Sequence, residues 1–138
     1  MNQVYFAIGA FSAGLSVALH AVGAHILKGQ VALGTLTPER LETWHTGTHY
    51  QFWHALAILA IATALHARLL RPNSGILLSM VMGTVLFSGS LYALVLSKQE
   101  ILAAVAPLGG MIWIGAWLAL AWEAWESRRL TSFEDTPA

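Results

Sequence analysis

The sequence predicts an all-α fold, a polytopic membrane protein built as a four-transmembrane-helix bundle with a short interfacial helix in its first loop. Three observations predict it. Of 138 residues, 57% are hydrophobic and only 10% are charged, against roughly 25% charged in a typical soluble domain, so water is not the main solvent. The mean hydropathy is +0.62. The apolar residues gather into four runs, each long enough to supply the roughly 20 residues that cross about 30 Å of hydrocarbon. None of the runs alternates like a strand, which leaves the helix as the form in which the backbone satisfies its own polar groups in lipid.

The first run, residues 4–27, contains no Asp, Glu, Lys or Arg. It lacks a basic segment ahead of it and exceeds the apolar stretch of a signal peptide, so it reads as a retained helix. Residues 50–70 are interrupted only by His54, His66 and Arg68 near their ends, residues 75–96 carry no charge, and residues 107–125 are apolar until Glu123. The long first loop, 28–49, contains Thr37-Pro38-Glu39, an N-cap, a proline at the first helical position and an acid in the first turn. An interfacial helix from Pro38 to about His45 is expected there, with Leu41 and Trp44 toward lipid and Glu39, Arg40 and Glu42 in water. Pro72-Asn73-Ser74-Gly75 reads as a tight turn, and residues 97–106 as a connector with Pro107 opening the last helix. The transmembrane domain covers residues 1–130, and 131–138 form a polar tail expected to be poorly ordered.

Seven basic and seven acidic side chains cancel, so no charge excess points to nucleic acid. With no cysteine, disulfides, Cys-ligated zinc and iron–sulfur clusters are excluded. Arg68, Arg71, Arg128 and Arg129 fall on one side of the four spans, and Lys28, Arg40 and Lys98 on the other. That small excess places both termini in the cytoplasm. Trp122 and Trp125 then mark the inner interface, Trp44 and Trp53 the outer one. Small residues recur at four-residue spacing as Ala10, Gly14 and Ala18, as Ser79 and Gly83, and as Gly115 and Ala119. Such strips let helices approach closely, within the bundle or against another protein.

Gly23-Ala24-His25, Tyr50-Gln51-Phe52-Trp53-His54-Ala55-Leu56, Leu86-Phe87-Ser88-Gly89-Ser90-Leu91-Tyr92-Ala93-Leu94 and Pro107-Leu108-Gly109-Gly110 resemble, in this order, the signatures of a domain-of-unknown-function family, number four-two-three. The resemblance covers nearly the whole chain and implies a small four-helix protein of the bacterial inner membrane, with a mitochondrial transmembrane relative. It implies no activity. The sequence departs from the family pattern at His20, His45 and His49, and at Ala106, where a threonine is common.

All four motifs fall in the outer half of the predicted bundle, the half nearer the long loop. His25, Tyr50, Gln51, His54, Ser88 and Tyr92 are therefore the candidate site. Spacings of three and four put Tyr50, Gln51 and His54 on one face and Ser88 and Tyr92 one turn apart. The plainer role for such a set is interhelical hydrogen bonding that fixes register. The sharper one is a cofactor or ligand site in which His25 and His54 orient a quinone headgroup or ligate a haem iron.

A metal site is not expected. His45 and His49 are four apart, but Thr46-Gly47 weakens the helix between them, His20 and His25 point about 140° apart on a helix, and no acid accompanies the histidines within the spans. No nucleophile has an evident His–acid partner set, no phosphate loop is present, and Glu123 and Glu126 read as a wet helix end. The leading expectation is thus a non-enzymatic accessory or assembly subunit that docks onto other membrane subunits or copies of itself. The alternative is a membrane protein that binds a quinone, haem or metal.

Overall fold

A computed structural model describes residues 2–67 and 74–134, with side chains over 3–67 and 74–126. The described residues form four long helical rods. The first comprises α1 (Asn2–Val22), a π-helical segment (Gly23–Leu27) and α2 (Lys28–Ala32). The others are α3 (Pro38–His66), α4 (Ser74–Ser97) and α5 (Ala106–Glu134), the last preceded by a 3₁₀ turn at Glu100–Ala104. α1 packs on α3, α3 on α4, and α4 on α5. Three helices are long and apolar enough to cross a membrane among the described residues: Gln3–Ala32, Ser74–Ser97 and Glu100–Glu126. α3 is equally long but does not reach that apolarity, because Gln51, His54, His66 and the charged first turns interrupt it.

The expected helix start at Thr37 is present. Thr37 Oγ1 accepts from the Arg40 N–H at 3.4 Å and Pro38 takes the first turn. Glu39 follows, its carboxylate held below the ordinary range mainly by a backbone N–H at that helix start, as helix N-termini favour anions. The separate interfacial helix is not seen: Pro38 to His45 are the first turns of α3, which runs unbroken through Thr46-Gly47. Gly47 is no breaker because its missing side chain admits the Tyr92 ring, whose Cε1 would lie 2.8 Å from a Cβ there. Trp44, expected in lipid, is 3% exposed, donates from Nε1 to the Leu19 carbonyl at 2.7 Å and packs on Tyr92. The turn at Pro72-Asn73 lies outside the described residues, and Ser74 and Gly75 already belong to α4. Pro107 falls in the first turn of α5, as expected, and α5 continues through Thr131 to Glu134.

The core lies among α3, α4 and α5, where Ile58, Ile61, Leu77, Met80 and Trp113 are buried together. Two glycines allow this closeness. A Cβ on Gly83 would stand 2.4 Å from the Trp113 ring, and one on Gly109 2.5 Å from the Phe87 backbone nitrogen. The strips divide differently from expectation. Gly83 is internal, but Ala10, Gly14, Ala18, Gly115 and Ala119 are exposed. The α1 seam against α3 uses Gly9, Ser16 and Gly23 instead, all buried.

Candidate functional site

The six candidate residues do not form one cluster. Successive residues on a helix are rotated by about 100°, so Tyr50 and Gln51 cannot serve the same neighbours. Gln51 points to α1 and α4: its Nε2 donates to the Ser12 carbonyl at 3.0 Å, and its Oε1 accepts from the Tyr92 hydroxyl at 2.7 Å. Tyr50 and His54 instead meet Phe87 on α4 and Trp113 on α5. The His54 ring stacks on Trp113 with centroids 3.5 Å apart and planes 4° from parallel. His54 Nδ1 donates to the Tyr50 carbonyl at 2.8 Å, and Nε2 accepts from Trp117 Nε1 at 3.4 Å. Both ring nitrogens are therefore committed in the Nδ1–H tautomer.

Ser88 is 1% exposed and its hydroxyl has no hydrogen-bond partner. His25 is exposed on the π segment. The antiparallel register, in which Ser12 meets Gln51 and Leu19 meets Trp44, leaves His25 about sixteen residues along the axis from the level of His54, roughly 24 Å at about 1.5 Å per residue. His25 and His54 do not meet, so they cannot ligate one iron.

Trp113, Trp117 and Ser12 escaped the sequence reading. The first two carry a signal, a four-residue spacing that puts both indoles on the α5 face turned to α3. Ser12 has none, since the shorter of its two contacts with Gln51 is made by its carbonyl, at 3.0 Å against 3.4 Å for its hydroxyl. Arg40 also emerged as structural: its guanidinium donates to the Leu94 carbonyl at 3.0 Å and pairs with Glu100, tying the start of α3 to the end of α4.

At the outer end of the α1/α3 seam, His20, His45 and His49 lie together, with ring centroids 4.7 Å apart for His20 and His45, whose planes are tilted, and 5.2 Å for His20 and His49, which stack. The continuity of α3 through Gly47 puts His45 and His49 on one face. Thr48 donates its hydroxyl proton to the His45 carbonyl at 2.9 Å, so it accepts from His20 Nδ1 at 3.2 Å. No group of three or more His, Asp or Glu among the described residues stands arranged to hold a metal ion.

A cleft of about 330 Å³ separates α1 from α4, lined by Phe11, Leu15, Val81 and Val85 with Gln51 and Tyr92 at one part of its wall. A polar hub enclosed by apolar helices, three of them long enough to cross a bilayer, defines a small helical membrane protein. Residues 19–110 match the family described as a protein of unknown function, DUF423, and the chain belongs to that family. It is 39% identical over 121 residues to the UPF0382 membrane protein YwdK of Bacillus subtilis, covering 86% of this chain and 93% of that one. It is 40% identical over 117 residues to the UPF0382 inner membrane protein YgdD of Escherichia coli, covering 83% and 81%. A UPF0382 membrane protein of Haemophilus influenzae is 34% identical over 134 residues, 94% of this chain and 100% of that one. No solved structure matches the chain.

Proposed function

We propose that this protein is a non-enzymatic accessory or assembly subunit of the bacterial inner membrane that docks through α1 onto another membrane subunit or a second copy of itself. In this reading α3 crosses the bilayer as a fourth span and both termini are cytoplasmic. The observation that carries it is the outward strip Ala10, Gly14 and Ala18. All three are exposed, and a Cβ on Gly14 would meet nothing within 4 Å. Small residues associate helices in lipid by letting backbones approach, and here the α1/α3 seam uses other residues. The committed hydrogen bonds of Gln51 and His54 support the same reading, since these groups hold helices together.

The chain has no cysteine, so a single introduced thiol reports without background. In native membranes Gly14→Cys is expected to capture a partner or a second copy on mild oxidation or bifunctional crosslinking. Leu78→Cys, exposed on α4, is expected to remain uncaptured. Gly14→Leu should fold yet lose the co-purifying species. Monomer alone in native-detergent mass measurement, with no crosslink at Gly14, overturns the docking role.

The α1/α4 cleft favours a second reading, a bound amphiphile such as a quinone. Its volume of about 330 Å³ falls at the lower end of ligand pockets, and Gln51 and Tyr92 supply the polar contacts. Lipid extraction of the gently purified protein, followed by mass spectrometry, tests this: a stoichiometric quinone that Gln51→Leu abolishes is the supporting result, and only bulk phospholipid the opposing one.

A further inference from the structure

Two clefts meet along the outer part of the α1/α3 seam. The one nearer the α2/α3 connection, about 460 Å³, is lined by His20, Ala24, Lys28, Glu42, His45 and His49. The other, about 210 Å³, is lined by Val17, Phe52 and Trp53 with Ser16 and Thr48. His20 and His49 belong to both, so the two make one groove, polar at its outer end and apolar farther along the rods. From Lys28 to Val17 the groove runs about eleven residues, roughly 17 Å at about 1.5 Å per residue. A head and the start of a chain fit that length.

The fold explains how the polar end is assembled. Lys28 reaches the His20 face because the π segment Gly23–Leu27 lies between them. In an uninterrupted α-helix the step from His20 to Lys28 turns about 800°, which leaves the two about 80° apart. A π turn takes in one extra residue, so the step becomes about 700°, within about 20° of whole turns. Gly23 in that segment is buried and lets α3 close in, since a Cβ there would stand 2.9 Å from His45 Cε1. Hydrogen bonding then decides which His45 nitrogen carries its proton. Thr48 gives its own proton to the His45 carbonyl, so His20 Nδ1–H donates to Thr48 and, at 3.4 Å, meets His45 Nδ1 as an acceptor. The neutral His45 ring therefore carries its N–H on Nε2. Lys28 and Glu42 are exposed and, among the described residues, are not paired with each other. The polar end thus offers an ammonium, an imidazole N–H and a carboxylate.

We propose that this groove binds one phospholipid with a phosphoethanolamine headgroup. The phosphate lies at Lys28 and the His45 Nε2–H, the primary ammonium at Glu42, and one acyl chain along Val17, Phe52 and Trp53. Charge complementarity selects the headgroup. A purely anionic one meets Glu42 as a like charge, and a quaternary ammonium has no N–H to give the carboxylate. The apolar continuation, in which Phe52 and Trp53 are 36% and 58% exposed, commits the site to a lipid rather than to free phosphate. Ala10, Gly14 and Ala18 do not line the groove, so lipid occupancy is read separately from partner capture at Gly14.

The test titrates the full chain, delipidated in mild detergent, with phosphatidylethanolamine, phosphatidylglycerol and phosphatidylcholine of identical acyl chains. Native mass spectrometry counts the lipid retained. One phosphatidylethanolamine per chain is expected, held about tenfold more tightly than either other lipid, the scale of one hydrogen bond between charged groups. Glu42→Gln should erase that preference. Lys28→Gln should weaken all three lipids, because the phosphate is common to them. Lys98→Gln, which removes a charge outside the groove, should bind as the unmodified chain does, and excess inorganic phosphate should displace nothing. Helicity and elution volume report whether each variant folds. If one does not, the order of the three lipids on the unmodified chain still decides. Equal retention of the three lipids, a preference that survives Glu42→Gln, or displacement by inorganic phosphate overturns the site.

Discussion

Ser88 shows how a side chain identified by the sequence can have a different role in the fold. It was expected to face polar partners, yet its hydroxyl is buried and unpaired, which costs free energy with no return from packing. Ser88→Ala should therefore be neutral or raise stability by up to about 1 kcal/mol, measured by thermal or denaturant unfolding in detergent. A loss of stability or of a bound molecule would show that the hydroxyl has a partner. Gly109 is the opposite case. Its absent Cβ lets the α4 and α5 backbones touch, so Gly109→Ala should cost about 1–3 kcal/mol. Gly110→Ala, with its nearest atom 3.8 Å from an added Cβ, should cost much less. Sequence alone cannot rank the two glycines, because the difference depends on which one meets the Phe87 backbone and which only the edge of its ring.

Among the elements, what could be read locally came through and what depended on neighbours did not. Thr37-Pro38-Glu39 announces a helix start because capping is a contact within four residues. The extent of α3 was hidden because Gly47, which weakens an isolated helix, is where Tyr92 from α4 packs. Once α3 is continuous, Trp44 turns from lipid to the Leu19 carbonyl, and His45 and His49 fall on one face. One of the three reasons against a metal site, a helix weakened at Thr46-Gly47, does not hold in the fold. At the end of α4, Lys98 adopts φ 60°, a left-handed position that favours glycine after a helix. Lys98→Gly should stabilise the protein by about 1 kcal/mol, unless its ammonium is needed by a partner, and the same unfolding assay reads it.

At the scale of the whole molecule, composition and run length were enough to give a helical membrane protein, since these properties need no knowledge of contacts. The assignment of faces was not. A strip of small residues looks the same whether it packs inward or outward, and Ala10, Gly14 and Ala18 proved to face away from α3, while Gly9, Ser16 and Gly23 form the seam. The proposed topology predicts that reporters fused at the two ends behave alike and that a cytoplasm-dependent reporter after Ala138 is active. Activity of a periplasm-dependent reporter there would reverse the orientation, and opposite behaviour at the two ends would remove α3 from the spans.

The Gln51 hub bears on how the chain is made. Its amide is matched by α1, synthesised before it, and by Tyr92 of α4, synthesised some forty residues later. In the proposed four-span topology, the least apolar rod emerges during translation with half its partners missing, and the insertion machinery must retain it until α4 arrives. Released chains ending near residue 75, with a cysteine introduced into α3, should leave α3 loosely held and alkali-extractable or accessible to a thiol reagent from the aqueous side. Chains that include α4 should protect it, and Tyr92→Phe should delay that protection without altering the finished fold.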